Sequence, residues 1–122
     1  MTHSDKYGKK HEIMLLDEWH KHFHQGAVLE TLFTPKELEL FPGKANAGSL
    51  AGRYIIKKLL FTQFQHEGDF REIEILNDDF GKPLLRLSDR LKSFCYTKGI
   101  ENICCSISHS RRRVVGMIIF EI

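Results

Sequence analysis

The sequence predicts a single α+β domain in which a mainly antiparallel sheet packs against one long helix. Three observations carry that prediction. A stretch from about Asn46 to Gln65 has helical periodicity and apolar residues on both flanks. Four short runs, 70–76, 84–87, 102–108 and 114–121, are rich in β-branched and apolar residues and are separated by turn residues. The remaining helix signals are segregated from the strands rather than alternating with each of them, which argues against a parallel sheet. With 122 residues the chain is long enough for one domain with its own core.

Residues 1–10 are polar and lysine-rich with no apolar segment, and they read as a mobile leader rather than a signal peptide; residues 11–122 read as the domain. Glu12 to Leu16 is a short apolar run suited to a strand. It leads into Asp17–His24, a helix start with Trp19 and Phe23 one turn apart. Thr34-Pro35-Lys36-Glu37 is a helix-start signature: a capping threonine, proline at the first helical position and glutamate placed to close a capping box. Pro42-Gly43 ends that helix. In the long helix, Asn46 or Ser49 can cap, Ala51, Ile55 and Leu59 share a face, and Leu50, Tyr54 and Phe61 widen it. Gly68-Asp69 breaks the chain.

Ile73 and Ile75 then alternate with Glu72 and Glu74. Residues 77–81 form a turn and 84–87 return as a strand. Ser88 caps a helix that Gly99 stops. The last two runs form a terminal hairpin across 109–113. The long helix and this hairpin carry more apolar surface than a small domain buries, which predicts association of subunits.

Composition excludes several classes. The net charge of +2 is too small to imply nucleic acid. No apolar run approaches the roughly 20 residues of a membrane helix. Cys95, Cys104 and Cys105 form neither a disulfide framework nor a metal motif, and fit a reducing cytoplasm. His11, His20, His22 and His24 suggest a metal cluster, yet only His20 and His24 share a helical face and no carboxylate completes a site. With Lys21 they suit a weakly basic, pH-sensitive patch. Arg111-Arg112-Arg113 reads as a solvated charge run, because no aromatic stacking platform accompanies it.

Three motifs carry chemistry: the helix Ser49-Leu50-Ala51-Gly52-Arg53-Tyr54-Ile55-Ile56-Lys57-Lys58, the turn Gly81-Lys82-Pro83, and the strand end Ser106-Ile107-Ser108-His109-Ser110. In this order and spacing they resemble the holo-acyl-carrier-protein synthases, small phosphopantetheinyl transferases with a helix of the form L-A-x-R-F-A-A-K-E-A, a G-K-P turn and a late S-I-S-H-[ST]. The resemblance spans about Glu12 to Glu121. It implies the phosphopantetheinyl transferase fold, a homotrimer with active sites between subunits, a setting in fatty acid biosynthesis, and transfer of 4′-phosphopantetheine from coenzyme A to a serine of an acyl carrier protein. It also implies the site. Arg53, Gly81, Lys82, Pro83, Ser108, His109 and Ser110 would meet coenzyme A, Lys57 and Lys58 would serve catalysis, and Glu12 would stand where the family's aspartate binds Mg²⁺. The histidine-bearing first helix would face the carrier protein.

The departures fall in one segment. Lys58 replaces the family's second metal-binding glutamate, Thr62 a lysine four residues on, and Ile55 and Ile56 two alanines. A protonated lysine repels a divalent cation instead of binding it, so a family-like Mg²⁺ site is not expected. Two outcomes follow: a transferase in which the Lys58 ammonium meets the diphosphate directly, or a non-catalytic relative that binds coenzyme A or the carrier as an interaction module. Should another carboxylate hold the ion, Asp17 and Glu67 are the candidates.

Overall fold

The computed structural model describes residues 7–23, 25–42, 46–65 and 68–121. Strand β1 (Tyr7–Leu15) runs into helix α1 (Leu16–Phe23), followed by α2 (Gly26–Leu32), α3 (Pro35–Leu40) and the long α4 (Ala47–Phe64). A 3₁₀ turn at Phe70–Glu72 leads to β2 (Ile73–Asn77) and β3 (Pro83–Leu87), then α5 (Asp89–Thr97), β4 (Asn102–His109) and β5 (Arg113–Glu121). The strands form two antiparallel sheets, one in the order β1-β5-β4 and one a β2-β3 hairpin.

The α+β expectation holds in detail. The capping box at Thr34 is present, with the Thr34 hydroxyl accepting from the Glu37 amide at 3.2 Å and the Glu37 carboxylate accepting from the Thr34 amide at 3.0 Å. Ser88 accepts from the Leu91 amide and caps α5. Gln65 closes α4 in the left-handed conformation, φ 53°.

Three expectations need correction. The run 70–76 opens as a 3₁₀ turn, Phe70–Glu72, capped by the Asp69 carboxylate, and becomes a strand only at Ile73. β1 begins at Tyr7, inside the segment expected as a leader, because Tyr7–Lys10 pair with Ile118–Glu121 of β5. Helix α2 was not expected; its N-cap Gln25 makes no side-chain cap bond, so the sequence carries no start signal. Residues 1–6, His24, Gly43 and Glu67 lie outside the described residues.

Helix α4 lies across the inner face of the three-stranded sheet and divides the interior. On one flank Ile56, Leu60, Phe61 and Phe64 pack with Ile73, Ile75, Leu91, Ile118 and Phe120. On the other, Leu50, Ala51 and Ile55 pack with Trp19, Phe33, Phe41 and Val114. Close approach to the sheet needs glycines. A Cβ on Gly52 would lie 2.3 Å from Ile107, and one on Gly116 2.6 Å from Ile55 and 3.3 Å from the Gly52 carbonyl. The outer face of the sheet is not covered by any of the described residues and is apolar along its middle, where Ile13, Leu15 and Ile119 are 58%, 48% and 42% exposed.

Candidate functional site

Because α4 is buried over most of its surface, its cations divide by direction. Arg53 and Lys57 are one turn apart and share a face. That face looks inward, toward α3 and the β2-β3 hairpin, and both side chains are buried. The Lys57 ammonium sits 2.6 Å from a Glu37 carboxylate oxygen and 2.7 Å from the Leu32 carbonyl, with neither charged side chain reaching solvent. Burial draws Lys57 below its ordinary pKa, and the Glu37 carboxylate opposes that shift. The Arg53 guanidinium donates to the Ile75 carbonyl at 2.8 Å, the Asn77 side-chain oxygen at 2.9 Å and the Ser49 carbonyl at 3.1 Å, and stacks on Phe41 at 3.9 Å. Burial lowers its pKa to about 10, against the pull of Glu37. Both residues were expected at the phosphates of coenzyme A. Within this chain both are buried and hold the fold together, Arg53 through Ile75, Asn77 and Ser49 and Lys57 through Glu37 and Leu32. Glu37 also accepts from the Ile75 amide at 3.0 Å, so the Ile75 N–H and C=O are both taken by buried charged side chains.

Lys58, next along the helix, turns away from this network toward β1. Its ammonium lies 3.0 Å from a Glu12 carboxylate oxygen and 5.5 Å from the Tyr54 ring, with both paired side chains just over a third exposed. Tyr54 in turn packs on Phe23 at 4.7 Å and Trp19 at 5.8 Å, so this pair borders an aromatic surface shared with α1. The sequence reading placed Glu12 and Lys58 at one site, and the structure brings them together as an ion pair.

The residues do not suit a divalent cation. The one carboxylate of the pair already holds an ammonium, and no cluster of three or more metal-ligating side chains occurs among the described residues. At 4 Å and an effective dielectric near 20, like unit charges repel by about 4 kcal/mol, so a dication meets about twice that before water around the pair reduces it.

The other motifs lie elsewhere. Asp78 locks the hairpin turn by accepting from the Phe80 amide at 2.8 Å and the Lys82 amide at 2.9 Å, while Gly81 takes φ 80°, which only glycine adopts without strain. Lys82 projects into solvent and Pro83 opens β3. Arg53, through Asn77, anchors this hairpin to the first half of α4. His109 closes β4 with its ring against Gly48, where an added Cβ would come within 2.8 Å of Nδ1. Ser108 alternates to the outer face of the sheet, away from His109. The Ser110 amide donates to the Arg113 carbonyl at 2.9 Å, closing the β4-β5 turn. Arg111–Arg113 are exposed and, with Ser110, line a hollow of about 500 Å³. A larger cleft of about 1000 Å³, between β3, α5 and the start of β4, contains none of the expected site residues.

No family profile matches the chain. Individual proteins do. A holo-(acyl-carrier-protein) synthase of Halothermothrix orenii is 33% identical over 112 residues, covering 88% of this chain and 85% of that protein. One from Clostridium novyi is 36% identical over 99 residues, covering 77% and 71%. The chain belongs to the holo-(acyl-carrier-protein) synthase family. Solved structures agree with that membership. The Neisseria meningitidis synthase superposes with a TM-score of 0.80 at 27% identity, over 94% of this chain and 98% of that one. A Bacillus anthracis synthase in complex with coenzyme A (3′,5′-ADP) gives 0.74 at 26% identity, over 93% and 95%. The synthase-like motifs of this chain occupy two separate stretches of α4. Gly48 and Arg53 serve the strand-end and hairpin motifs, and Lys58 serves Glu12. Sequence reasoning missed Glu37 as the partner of Lys57. Part of the signal was available, since Arg53 and Lys57 share one face of a helix that is apolar on both flanks, and a face turned inward obliges its cations to find partners inside.

Proposed function

We propose that this protein transfers 4′-phosphopantetheine from coenzyme A to a serine of an acyl carrier protein, in sites formed between copies of the chain. The separation of the site residues along α4 carries this reading. Gly48, beneath His109, and Lys58 are ten residues apart, about 15 Å along a helix. That is too far for both to serve one phosphate, which supports a shared site in which the Glu12–Lys58 half of one chain faces the Lys82–His109 half of another. The uncovered apolar face around Ile13, Leu15 and Ile119 supports assembly, and the family resemblance points to a homotrimer.

In such a site Lys82, His109 and Ser110 bind the nucleotide phosphates, and Gly81-Lys82-Pro83 supplies a rigid turn against which they rest. The carrier serine oxygen bonds to the β-phosphorus, the bond to the bridging oxygen breaks, and 3′,5′-ADP departs with the electron pair while the serine proton passes to water. Positioning and cations directed at the phosphoryl oxygens supply the rate. Helix α1, with His20, Lys21 and His22 in its last turn, is the surface offered to the carrier. Among the described residues no helix is long and apolar enough to cross a membrane and the three thiols are free, which supports a cytoplasmic setting.

Mass spectrometry of an apo carrier protein incubated with coenzyme A and this protein should show the gain of one phosphopantetheine. No gain for any apo carrier tested, together with sedimentation as a monomer at micromolar concentration, refutes the reading.

A further inference from the structure

We propose that the Glu12–Lys58 ion pair takes the place of the divalent cation, so that coenzyme A is bound, and its diphosphate stabilised, without metal. This rests on the transferase reading above and concerns the same site.

Charge balance is the first argument. Two carboxylates and one dication sum to zero, and so do Glu12 and Lys58. The one substitution that removes a metal ligand therefore also supplies the cation that replaces the metal. Adding a dication to the present pair would leave two uncompensated positive charges. Geometry is the second. An ammonium carries three donors; one points at Glu12 Oε2 at 3.0 Å, and at 38% side-chain exposure the group remains open to solvent and to phosphate oxygens. Glu12 and the nearby Tyr54 ring, 5.5 Å away, hold the ammonium at the junction of β1 and α4. Lys57 cannot fill this role, because it is sealed inside with Glu37. Neither can Arg53, whose three nitrogens are all engaged.

The compact ammonium head of Lys58 suits it to a terminal or bridging phosphate oxygen. Coordination geometry no longer constrains the site. Its cation is present in every molecule, whatever the magnesium concentration.

Two measurements test the inference separately from the transferase reading. Mn²⁺ titrated into the whole protein and followed by electron paramagnetic resonance should show no specific site, whereas Lys58→Glu, which places a second carboxylate beside Glu12, should gain one. A specific Mn²⁺ site in the unaltered protein that is lost in Glu12→Gln overturns the proposal and leaves the transferase reading intact. Calorimetry with coenzyme A should give the same affinity in chelator and in Mg²⁺, a loss of tenfold or more for Lys58→Met, and near-normal binding for Lys58→Arg. Affinity that rises tenfold with Mg²⁺, or that ignores Lys58→Met, also overturns it. Absence of coenzyme A binding under every condition removes the transferase reading and this inference with it.

Discussion

Lys57 separates a structural role from a catalytic one most cleanly. Its ammonium and the Glu37 carboxylate are both fully enclosed, 2.6 Å apart. Replacing Lys57 with methionine keeps an unbranched side chain, one atom shorter, but removes the charge. Glu37 would then remain buried with the Thr34 and Ile75 amides as its hydrogen-bond donors and Arg53 as the nearby charge, but without its own ion-pair partner. Breaking a buried pair from one side costs about 3–5 kcal/mol, most of it the penalty of the stranded charge. At about 4 °C per kcal/mol for a domain of this size, Tm should fall by about 12–20 °C. Circular dichroism melts at one protein concentration provide the measurement. The double variant Glu37→Gln, Lys57→Met should melt higher than Lys57→Met alone, because the neutral amide no longer needs a cation. A Lys57→Met protein that melts within about 2 °C of the original while losing coenzyme A affinity would refute this reasoning and return Lys57 to the ligand site.

Four further outcomes are expected. His109→Ala and Lys82→Ala should each weaken coenzyme A binding by about 1–3 kcal/mol without moving Tm, as calorimetry and melts together will show. Binding should also weaken as salt rises, since the contacts are ionic. Gly116→Ala should destabilise the protein by about 1–3 kcal/mol in urea unfolding, because its methyl would press on both Ile55 and the backbone of α4. The Glu72 carboxyl, held below its ordinary range by Arg90, with the Ser88 hydroxyl and the Asp69 amide assisting, should titrate lower in the folded protein by NMR. The unfolded chain therefore takes up that proton first, so the stabilisation is present above the ordinary glutamate pKa and is lost as pH falls through the folded value.

What the sequence disclosed was what is local. The capping box at Thr34, the Ser88 cap, the long helix and the terminal hairpin all depend on residues a few positions apart, and they appear where the patterns place them. The start of β1 depends on pairing with β5, more than 100 positions away, and polar Lys9, Lys10 and His11 gave no sign of it. Helix α2 opens on Gly26 after an uncapped Gln25 and forms by packing against its neighbours. The same distinction runs through the site. Glu12 and Lys58 could be paired in advance because the motif fixed both positions. Arg53 and Lys57 looked like surface cations because their partners, Ile75, Asn77 and Glu37, come from other segments. Ser108 and His109 belong to one motif, yet strand alternation sends them to opposite faces.

Ile75 sits on β2, whose second side has no neighbouring strand among the described residues. A bare strand edge recruits strands from other molecules. Here the amide is closed off by Glu37 and the carbonyl by Arg53, so two charged side chains act as a guard against intermolecular sheet growth. Loss of Arg53 would then appear first during expression, as material that assembles into insoluble sheet, before any effect on ligand affinity could be measured. The arginine that the motif associates with phosphate thus has a prior duty, keeping the folded chains from adding to one another.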